Sequence, residues 1–227
     1  MNRLYWVRHG ETIVNLTKEF SCRFVDPPLT PKGVLQARQT VEALAGRGIA
    51  AVYCSPLRRA SETAGIIAER LALPVTPLEN FRETDVGDLE RRRPDAEAWS
   101  LYMRVVDAWQ RGDAAERFPG GEDYHELRAR LLDGFRMLVH RHPGATLLVV
   151  GHGGSFSMVL PALCPEVDPG WLRAQAVENC SITELLLEEQ DGRLHGRLVD
   201  WANYSHLHGD AAELVPGFPA LDELEGR

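Results

Sequence analysis

The stretch VRHGETIVN, residues Val7–Asn15, overlaps the end of the apolar run Leu4–Val7. A short run of this kind is typical of a buried strand in a parallel sheet, because both faces of such a strand are covered. A cation, an imidazole and a glycine follow it side by side, as Arg8, His9 and Gly10. A strand end holds side chains rigidly, and glycine allows other groups to approach closely. The stretch therefore predicts a binding site at the end of a strand.

Two further apolar runs have the same character, Ala50–Cys54 and Thr146–Val150. Ser181–Glu188 and Arg197–Trp201 predict two late strands in a hairpin that turns at Asp191-Gly192, and residues 77–81 are a further candidate strand. Helical patterns cover residues 30–45, 59–73, 96–110 and 122–140. This alternation predicts an α/β fold with a mainly parallel sheet and helices on both faces. The helices within 96–140 have no strand between them, which indicates a helical subregion over the carboxyl ends of the strands.

The composition restricts the class of protein. The chain has 227 residues, 44% of them hydrophobic, and a formal net charge of −8. We expect one domain over residues 1–208 and a tail over 209–227, which is rich in Gly, Pro and acidic residues. The acidic balance argues against a nucleic-acid partner but allows a small anionic ligand in a local arginine cluster. Four widely spaced cysteines, no apolar leader and no run long enough to span a membrane predict a cytoplasmic protein with reduced thiols.

Ligands of such sheets bind beyond the carboxyl ends of the strands, and reactive residues follow each apolar run. Arg8-His9 follows the first, Ser55-Pro56-Leu57-Arg58 the second and Gly151-His152-Gly153-Gly154 the third, while Glu83 follows the candidate strand at 77–81. The guanidinium fork matches phosphate oxygens, and the N-terminus of the helix after Gly153 favours an anion. The sequence therefore predicts a phosphate site.

With an anion fixed there, the side chains acquire chemical roles. A neutral imidazole is a good nucleophile towards phosphorus, so His9 is the candidate to form a phosphohistidine. A carboxylic acid beside the substrate's negative charge can hold a proton for the leaving group, and Glu83 is the candidate. Arg8, Arg58 and His152 would bind the phosphoryl oxygens, with Asn15 as a neutral donor. Nothing in this scheme requires a metal or another cofactor.

The joint set of VRHGETIVN, CSPLRRASETA, FRE and VVGHGG closely resembles the histidine phosphatase superfamily, the phosphoglycerate mutase-like or "RHG" family. The similarity covers about residues 1–208. The resemblance implies a mostly parallel six-stranded sheet flanked by helices. It also implies a homodimer. It also implies that His9 is the phosphorylated nucleophile and Glu83 the proton donor. The phosphate pocket would consist of Arg8, Arg58 and His152, with Asn15 and Gly153 as further contacts.

The family contains phosphatases and phosphoglycerate mutases. The segment after Glu83 resembles the short E-x-x-x-G-x-W-E-G pattern of the phosphatase branch, although Leu89 and Arg91 replace its Trp and second Gly. Phe20-Ser21-Cys22-Arg23 stands where mutases have a Phe-Thr-Gly-Trp-like run, and Ser21, Cys22 and Arg23 are candidate substrate contacts. These features favour a phosphatase acting on a small phosphorylated metabolite. A mutase-type phosphotransferase is the alternative, and a non-catalytic phospho-ligand binder ranks last.

The sequence does not identify the substrate. Arg23 and the cluster Arg91–Arg93 could recognise a second anionic group of the substrate. The simpler interpretation is a solvated, charged turn.

Overall fold

The computed structural model describes residues 1–215 and contains one six-stranded sheet with the order β3-β2-β4-β1-β5-β6. Its strands are β1 (Asn2–Arg8), β2 (Ile49–Cys54), β3 (Val75–Pro77), β4 (Thr146–Gly151), β5 (Ile182–Gln190) and β6 (Arg193–Asn203). The first four are parallel to one another, and β5 and β6 are antiparallel to their neighbours. The predicted α/β fold with a mainly parallel six-stranded sheet is confirmed.

Seven α-helices lie within the described part of the chain. They are α1 (Ile13–Thr17), α2 (Pro31–Leu44), α3 (Arg58–Leu71), α4 (Ala96–Gln110), α5 (Tyr124–Arg141), α6 (Gly153–Leu163) and α7 (Pro169–Arg173). Short 3-10 helices cover Glu79–Phe81, Gly87–Arg91 and Gly209–Ala212. The four predicted helical patterns correspond to α2, α3, α4 and α5. Both α4 and α5 fall between β3 and β4, as the uninterrupted helical pattern predicted.

The candidate strand at residues 77–81 is wrong. The strand β3 ends at Pro77, and residues 79–81 form a 3-10 helix. Proline has no N–H to donate to a ladder, which favours the end of a strand there. The N–H of Leu78 still donates to the Cys54 carbonyl at 2.8 Å, after which the chain turns inward and buries Phe81.

The two faces of β1 belong to separate cores. Leu4 and Trp6 face the core that includes α5 and α6, where the rings of Trp6 and Phe156 stack with centroids 4.3 Å apart. Tyr5 and Val7 face the core formed with α2 and α3. This alternation follows from the two-residue period of a strand. With both faces covered, the sheet gives the end of β1 a fixed position.

The predicted hairpin is confirmed. Asp191 and Gly192 join β5 to β6 with φ values of 52° and 72°. A two-residue turn with positive φ at both positions matches the twist of antiparallel strands, and Asp-Gly is a favoured pair for it.

The described part of the predicted tail lies on α2. Gln36 Nε2 donates to the Ala211 carbonyl at 3.2 Å, and Lys32 Nζ donates to the Glu213 carbonyl at 3.0 Å. The domain boundary at residue 208 stays a prediction, and residues 216–227 of the tail lie outside the described residues. Within residues 1–215, none of the helices has the length and apolar character needed to cross a membrane.

Two glycines bring α2 into backbone contact with the segment after β1. A Cβ on Gly10 would lie 2.5 Å from the Gly33 carbonyl oxygen, and one on Gly33 would lie 2.2 Å from the Glu11 carbonyl oxygen. Hydrogen bonds accompany this contact, because Thr30 N–H donates to the Glu11 carbonyl at 2.9 Å. The residue after His9 is thus held by a helix that is distant in sequence.

Gly33→Ala should lower the free energy of unfolding by about 1–3 kcal/mol, because its Cβ would press on backbone that cannot easily move. Gly65 is the matched control: it is also helical but exposed, and a Cβ there would meet nothing within 4 Å. Gly65→Ala should raise the free energy of unfolding by up to about 1 kcal/mol through helix propensity. Urea titration followed by circular dichroism measures both, and equal effects of the two substitutions would contradict the packing argument.

Candidate active site

His9 lies directly after β1, and its two ring nitrogens have different partners. Nδ1 is 2.8 Å from the Gly10 carbonyl oxygen, to which it can only donate. Nε2 accepts a hydrogen bond from Arg59 Nε at 3.1 Å. These bonds assign the proton of the neutral ring to Nδ1 and leave the lone pair on Nε2. The side chain is therefore held in the tautomer that a nucleophile requires.

His152 follows β4, the neighbour of β1, and faces the same guanidinium. Its Nδ1 lies 3.3 Å from Arg59 Nη2, and its Nε2 lies 2.7 Å from Ser55 Oγ. The centroids of the His9 and His152 rings are 5.3 Å apart. The bond to Arg59 makes Nδ1 an acceptor, so Nε2 donates to the serine. Both imidazoles thus present an unprotonated nitrogen to Arg59.

Arg59, and not Arg58, is the arginine of this cluster, which corrects the prediction from the sequence. The Arg58 side chain is 58% exposed, and its Nε donates to Glu62 at 2.7 Å. Arg59 is buried and donates to both imidazoles. Successive residues of a helix point about 100° apart, so only one of the two can face inward. The apolar residues of α3 indicate which one, since Arg59 lies at the edge of the face formed by Ala60, Ala64 and Ile67, and Arg58 lies opposite.

Arg8 supplies a second guanidinium, on a half-buried residue. Its Nη1 donates to the Val177 carbonyl, and a Cβ on Gly153 would lie 3.3 Å from its Cδ. Burial lowers the pKa of Arg8, an effect opposed first by Glu178 and then by Glu83. Arginine nevertheless keeps its charge in proteins. Arg8 and Gly153 thus lie next to each other, and their contacts with phosphate stay a prediction.

Both imidazoles are held neutral by the same causes. Burial is the largest effect that moves the pKa of His9 and that of His152 well below the ordinary value, and Arg59 adds to it in each case. A charged ring would lose its hydration and meet a neighbouring cation. The site therefore holds two permanent cations and two neutral rings, a combination suited to an anion.

The Glu83 carboxylate is fixed at the N-terminus of α6. Its Oε1 accepts from the N–H of Ser155 at 2.7 Å and from the N–H of Thr84 at 2.8 Å. A Cβ on Gly154 would lie 3.0 Å from Oε1, so glycine permits this close approach. The helix N-terminus that the sequence assigned to an anion thus holds this carboxylate. With Oε1 occupied by two donors, a proton on Glu83 belongs on Oε2.

Arg130 of α5 supports the segment that carries Glu83. Its Nη1 donates to the carbonyls of Asn80 and Arg82 at 3.0 and 2.7 Å, and its Nη2 donates to the Glu83 carbonyl at 3.1 Å. Its Nε and Nη2 also bind Glu122 at 2.9 and 2.7 Å. Nothing in the sequence pattern of α5 distinguishes Arg130 from its exposed neighbours, so the sequence does not predict its contacts with residues 80–83.

Asn15 lies on α1 with its Oδ1 occupied. That oxygen accepts from the N–H of Thr12 at 2.9 Å, completing a capping box. Asn179, a residue missed from the sequence, lies beside it. Its Nδ2 donates to the His9 carbonyl at 2.9 Å and is 3.4 Å from Asn15 Oδ1. The group that Asn15 can offer a ligand is its Nδ2, and its role as a neutral donor stays a prediction.

The three candidate substrate contacts at residues 21–23 have different positions. Ser21 Oγ accepts from Arg59 Nη1 at 2.7 Å, so Ser21 supports the arginine. Cys22 is buried, with its thiol against Glu90 and Asp85, so a substrate cannot reach it and the prediction for Cys22 is wrong. The exposed Arg23 forms an ion pair with Asp85.

The cluster Arg91–Arg93 is exposed, and two of its members have partners. The Arg91 guanidinium lies 4.4 Å from the centroid of the Phe24 ring, and Arg92 Nη2 lies 3.1 Å from Glu97 Oε1. These contacts favour the charged surface turn over a dedicated anion site.

A family model described as histidine phosphatase superfamily (branch 1) matches residues 4–200. Proteins named probable phosphoglycerate mutase GpmB from Salmonella paratyphi B and Salmonella newport are 33% identical over 231 residues, covering 99% of this chain and 100% of theirs. A solved mycobacterial glucosyl-3-phosphoglycerate phosphatase in complex with VO3 superposes with a TM-score of 0.76 at 28% identity, over 88% of this chain and 99% of that one. Bacillus stearothermophilus YhfR gives a TM-score of 0.74 at 27% identity, over 91% and 99%.

Substitution of Arg59 should weaken anion binding, whereas substitution of the adjacent Arg58 should leave it nearly unchanged. Arg59→Ala removes charge-assisted donors and should weaken the binding of inorganic phosphate about 10- to 100-fold. Arg58→Ala, the matched control, removes only an exposed ion pair and should change the dissociation constant by less than about twofold. Isothermal titration calorimetry measures both constants. A larger loss in Arg58→Ala than in Arg59→Ala would refute the assignment.

Proposed function

The chain belongs to the histidine phosphatase superfamily, and on that basis we propose that it hydrolyses small phosphomonoesters through a phosphohistidine at His9 without a metal. The observation that carries the proposal is the shared guanidinium of Arg59, which donates to Nε2 of His9 and to Nδ1 of His152. A tetrahedral anion placed there would meet the buried Arg59, the half-buried Arg8 and the lone pair of a neutral imidazole. These groups supply the charge stabilisation that phosphoryl transfer needs.

Binding of the phosphate would rearrange few groups. Arg59 and Arg8 would donate to the phosphoryl oxygens, and Asn15 Nδ2 would add a neutral donor. The dianion also favours a proton on His152 Nδ1, which would then donate to it while Ser55 continues to accept from Nε2. In the free protein these donors already lie close together, so orienting them on phosphate binding would cost little conformational entropy.

In the first step, the Nε2 lone pair of His9 would attack phosphorus in line with the ester bond. A nitrogen–phosphorus bond forms, and the bond from phosphorus to the leaving oxygen breaks. The bond from Nδ1–H to the Gly10 carbonyl stabilises the charge that develops on the ring. The proton on Glu83 Oε2 would pass to the leaving oxygen, so an alcohol departs and Glu83 is left as a carboxylate.

In the second step, Glu83 would act as a base. It takes a proton from water, whose oxygen attacks phosphorus while the nitrogen–phosphorus bond breaks. Inorganic phosphate leaves, and the lone pair returns to Nε2 of His9. Glu83 has then recovered its proton, which closes the cycle.

The leaving group would lie in a cleft of about 440 Å³ beside Glu83. The residues that line it are Arg23, Glu79, Arg82, Glu83, Asp85, Glu122 and Arg130. Its three arginines are already paired with acids, Arg23 with Asp85, Arg82 with Glu79 and Arg130 with Glu122. This cleft offers paired donors and acceptors, which suits a polar leaving group such as a hydroxyl-bearing metabolite.

A phosphoglycerate mutase-type phosphotransferase is the second candidate, because the curated relatives carry that name. The structural relative at 28% identity is named a glucosyl-3-phosphoglycerate phosphatase. The short segment after Glu83 and the self-paired arginines of the cleft favour hydrolysis. A non-catalytic binder ranks last, because all the groups of the scheme are present. A cytoplasmic location and a homodimer stay predictions.

His9→Ala should abolish hydrolysis of an aryl phosphate measured in the presence of EDTA, because it removes the nitrogen that accepts the phosphoryl group in the proposed mechanism. Wild-type protein quenched during turnover of a ³²P-labelled substrate should carry an acid-labile, base-stable label that His9→Ala lacks. The control is His125→Ala, an exposed position on α5, which should keep full activity. Undiminished hydrolysis by His9→Ala would disprove the proposed mechanism.

Incubation with 3-phosphoglycerate distinguishes the two candidate activities. A phosphatase should release inorganic phosphate and form no 2-phosphoglycerate, whether or not 2,3-bisphosphoglycerate is added, because water reaches the phosphoenzyme. Formation of 2-phosphoglycerate that depends on the bisphosphate, followed by ³¹P NMR, would instead establish the mutase.

A further inference from the structure

The peptide group between Ser21 and Cys22 joins two oppositely charged side chains. Its carbonyl oxygen accepts from Arg59 Nη2 at 2.8 Å, and its N–H donates to Glu90 Oε1 at 2.6 Å. A guanidinium and a carboxylate at the two ends of one amide polarise it in the same direction, so each hydrogen bond strengthens the other. Arg59, which contacts both imidazoles, is thereby coupled to Glu90.

Glu90 organises the whole loop of residues 21–25. Its Oε1 accepts from four consecutive backbone N–H groups, those of Cys22, Arg23, Phe24 and Val25, at 2.6, 2.7, 3.0 and 3.1 Å. Burial opposes ionisation of this carboxyl, but the four donors outweigh it and hold its pKa below the usual value. Consecutive N–H groups that converge on one oxygen form an anion-binding concavity. The conformation of the loop therefore depends on the charge of Glu90.

We propose that Glu90 is a positioning residue, which fixes the loop of residues 21–25 and so holds Ser21 against Arg59. Ser21 contributes two acceptors to Arg59, its carbonyl oxygen and its Oγ. Without them the guanidinium would keep fewer of the contacts that place it between His9 and His152. An effect of Glu90 on catalysis rests on the function proposed above. An effect of Glu90 on the position of Arg59 can be measured in the absence of turnover.

The ionisation of His9 reports where Arg59 lies. The groups that face His9 are Arg8, Arg59 and His152, and Glu83 acts on the two arginines. Apart from burial, Arg59 makes the largest contribution to the lowered pKa of His9. If Arg59 moves away, the His9 ring becomes easier to protonate, and the neutral form that acts as the nucleophile is lost at a higher pH.

The first experiment is an NMR titration of the His9 Hε1 resonance, identified by its absence from the spectrum of His9→Ala. In Glu90→Ala the pKa of His9 should rise towards its ordinary value of about 6.5. Glu90→Gln keeps an acceptor oxygen but loses the charge, so it should give a smaller rise. The control is Glu126→Ala, which removes a capping carboxylate at the exposed start of α5 and should leave the titration unchanged.

The second experiment measures hydrolysis of an aryl phosphate across pH. In Glu90→Ala, kcat/KM at neutral pH should fall roughly 10- to 100-fold through misplacement of Arg59. The acidic limb of its pH profile should also move to higher pH, which a general loss of stability would not cause. Ser21→Ala should produce a smaller shift in the same direction. The double variant Ser21→Ala/Glu90→Ala should lose less than the sum of the two, because both act through Arg59.

An unchanged His9 titration in folded Glu90→Ala would overturn the inference. If Glu90→Ala does not fold, unchanged titrations in both Glu90→Gln and Ser21→Ala would overturn it equally. A wild-type protein without phosphatase activity would refute the proposed function alone, since a shifted His9 titration in the Glu90 variants would still establish the coupling to Arg59.

Discussion

The site depends on one buried cation that two neutral rings share. Removing the guanidinium of Arg59 from water is costly, and the cost is offset by bonds to Ser21, His9 and His152. Because a cation already lies between the imidazoles, neither ring gains a proton easily. An entering phosphate would therefore find the positive charge on arginine and the lone pair on histidine, and not the reverse. The proposed attack by His9 on phosphorus requires this separation of the positive charge from the lone pair.

The sheet order explains how residues so distant in sequence meet at this cation. Strand β4 lies between β1 and β2, and Arg8 pairs with Gly151 while Cys54 pairs with Val150. The three strands are parallel, so their carboxyl ends reach the same edge, which is where ligands of such folds bind. His9, His152 and the first turn of α3 emerge there as neighbours. The covered faces of the sheet make this arrangement rigid without any contribution from the ligand.

Much of this could be predicted from the sequence, because the apolar runs of the central strands and the residues after them are local signals. The apolar face of α3 also indicates that Arg59, and not Arg58, points inward. Because the two arginines are adjacent, the motif alone does not distinguish them. The contacts made by Glu90 and Arg130 could not be predicted. They join side chains to backbone groups of segments far away in sequence, and no periodicity or local motif records such a bond.

Glu83 and Glu90, whose carboxylate accepts from the N–H groups of residues 22–25, lie on one short segment that ends in the 3-10 helix Gly87–Arg91. An insertion or deletion between them would shift the Glu83 carboxyl relative to the Arg59 guanidinium. The number of residues between Glu83 and Glu90 therefore sets the positions of both side chains together. Substitution of the exposed Phe24 and Arg91, which pack against each other beside Glu90, would by contrast leave the length of this segment unchanged.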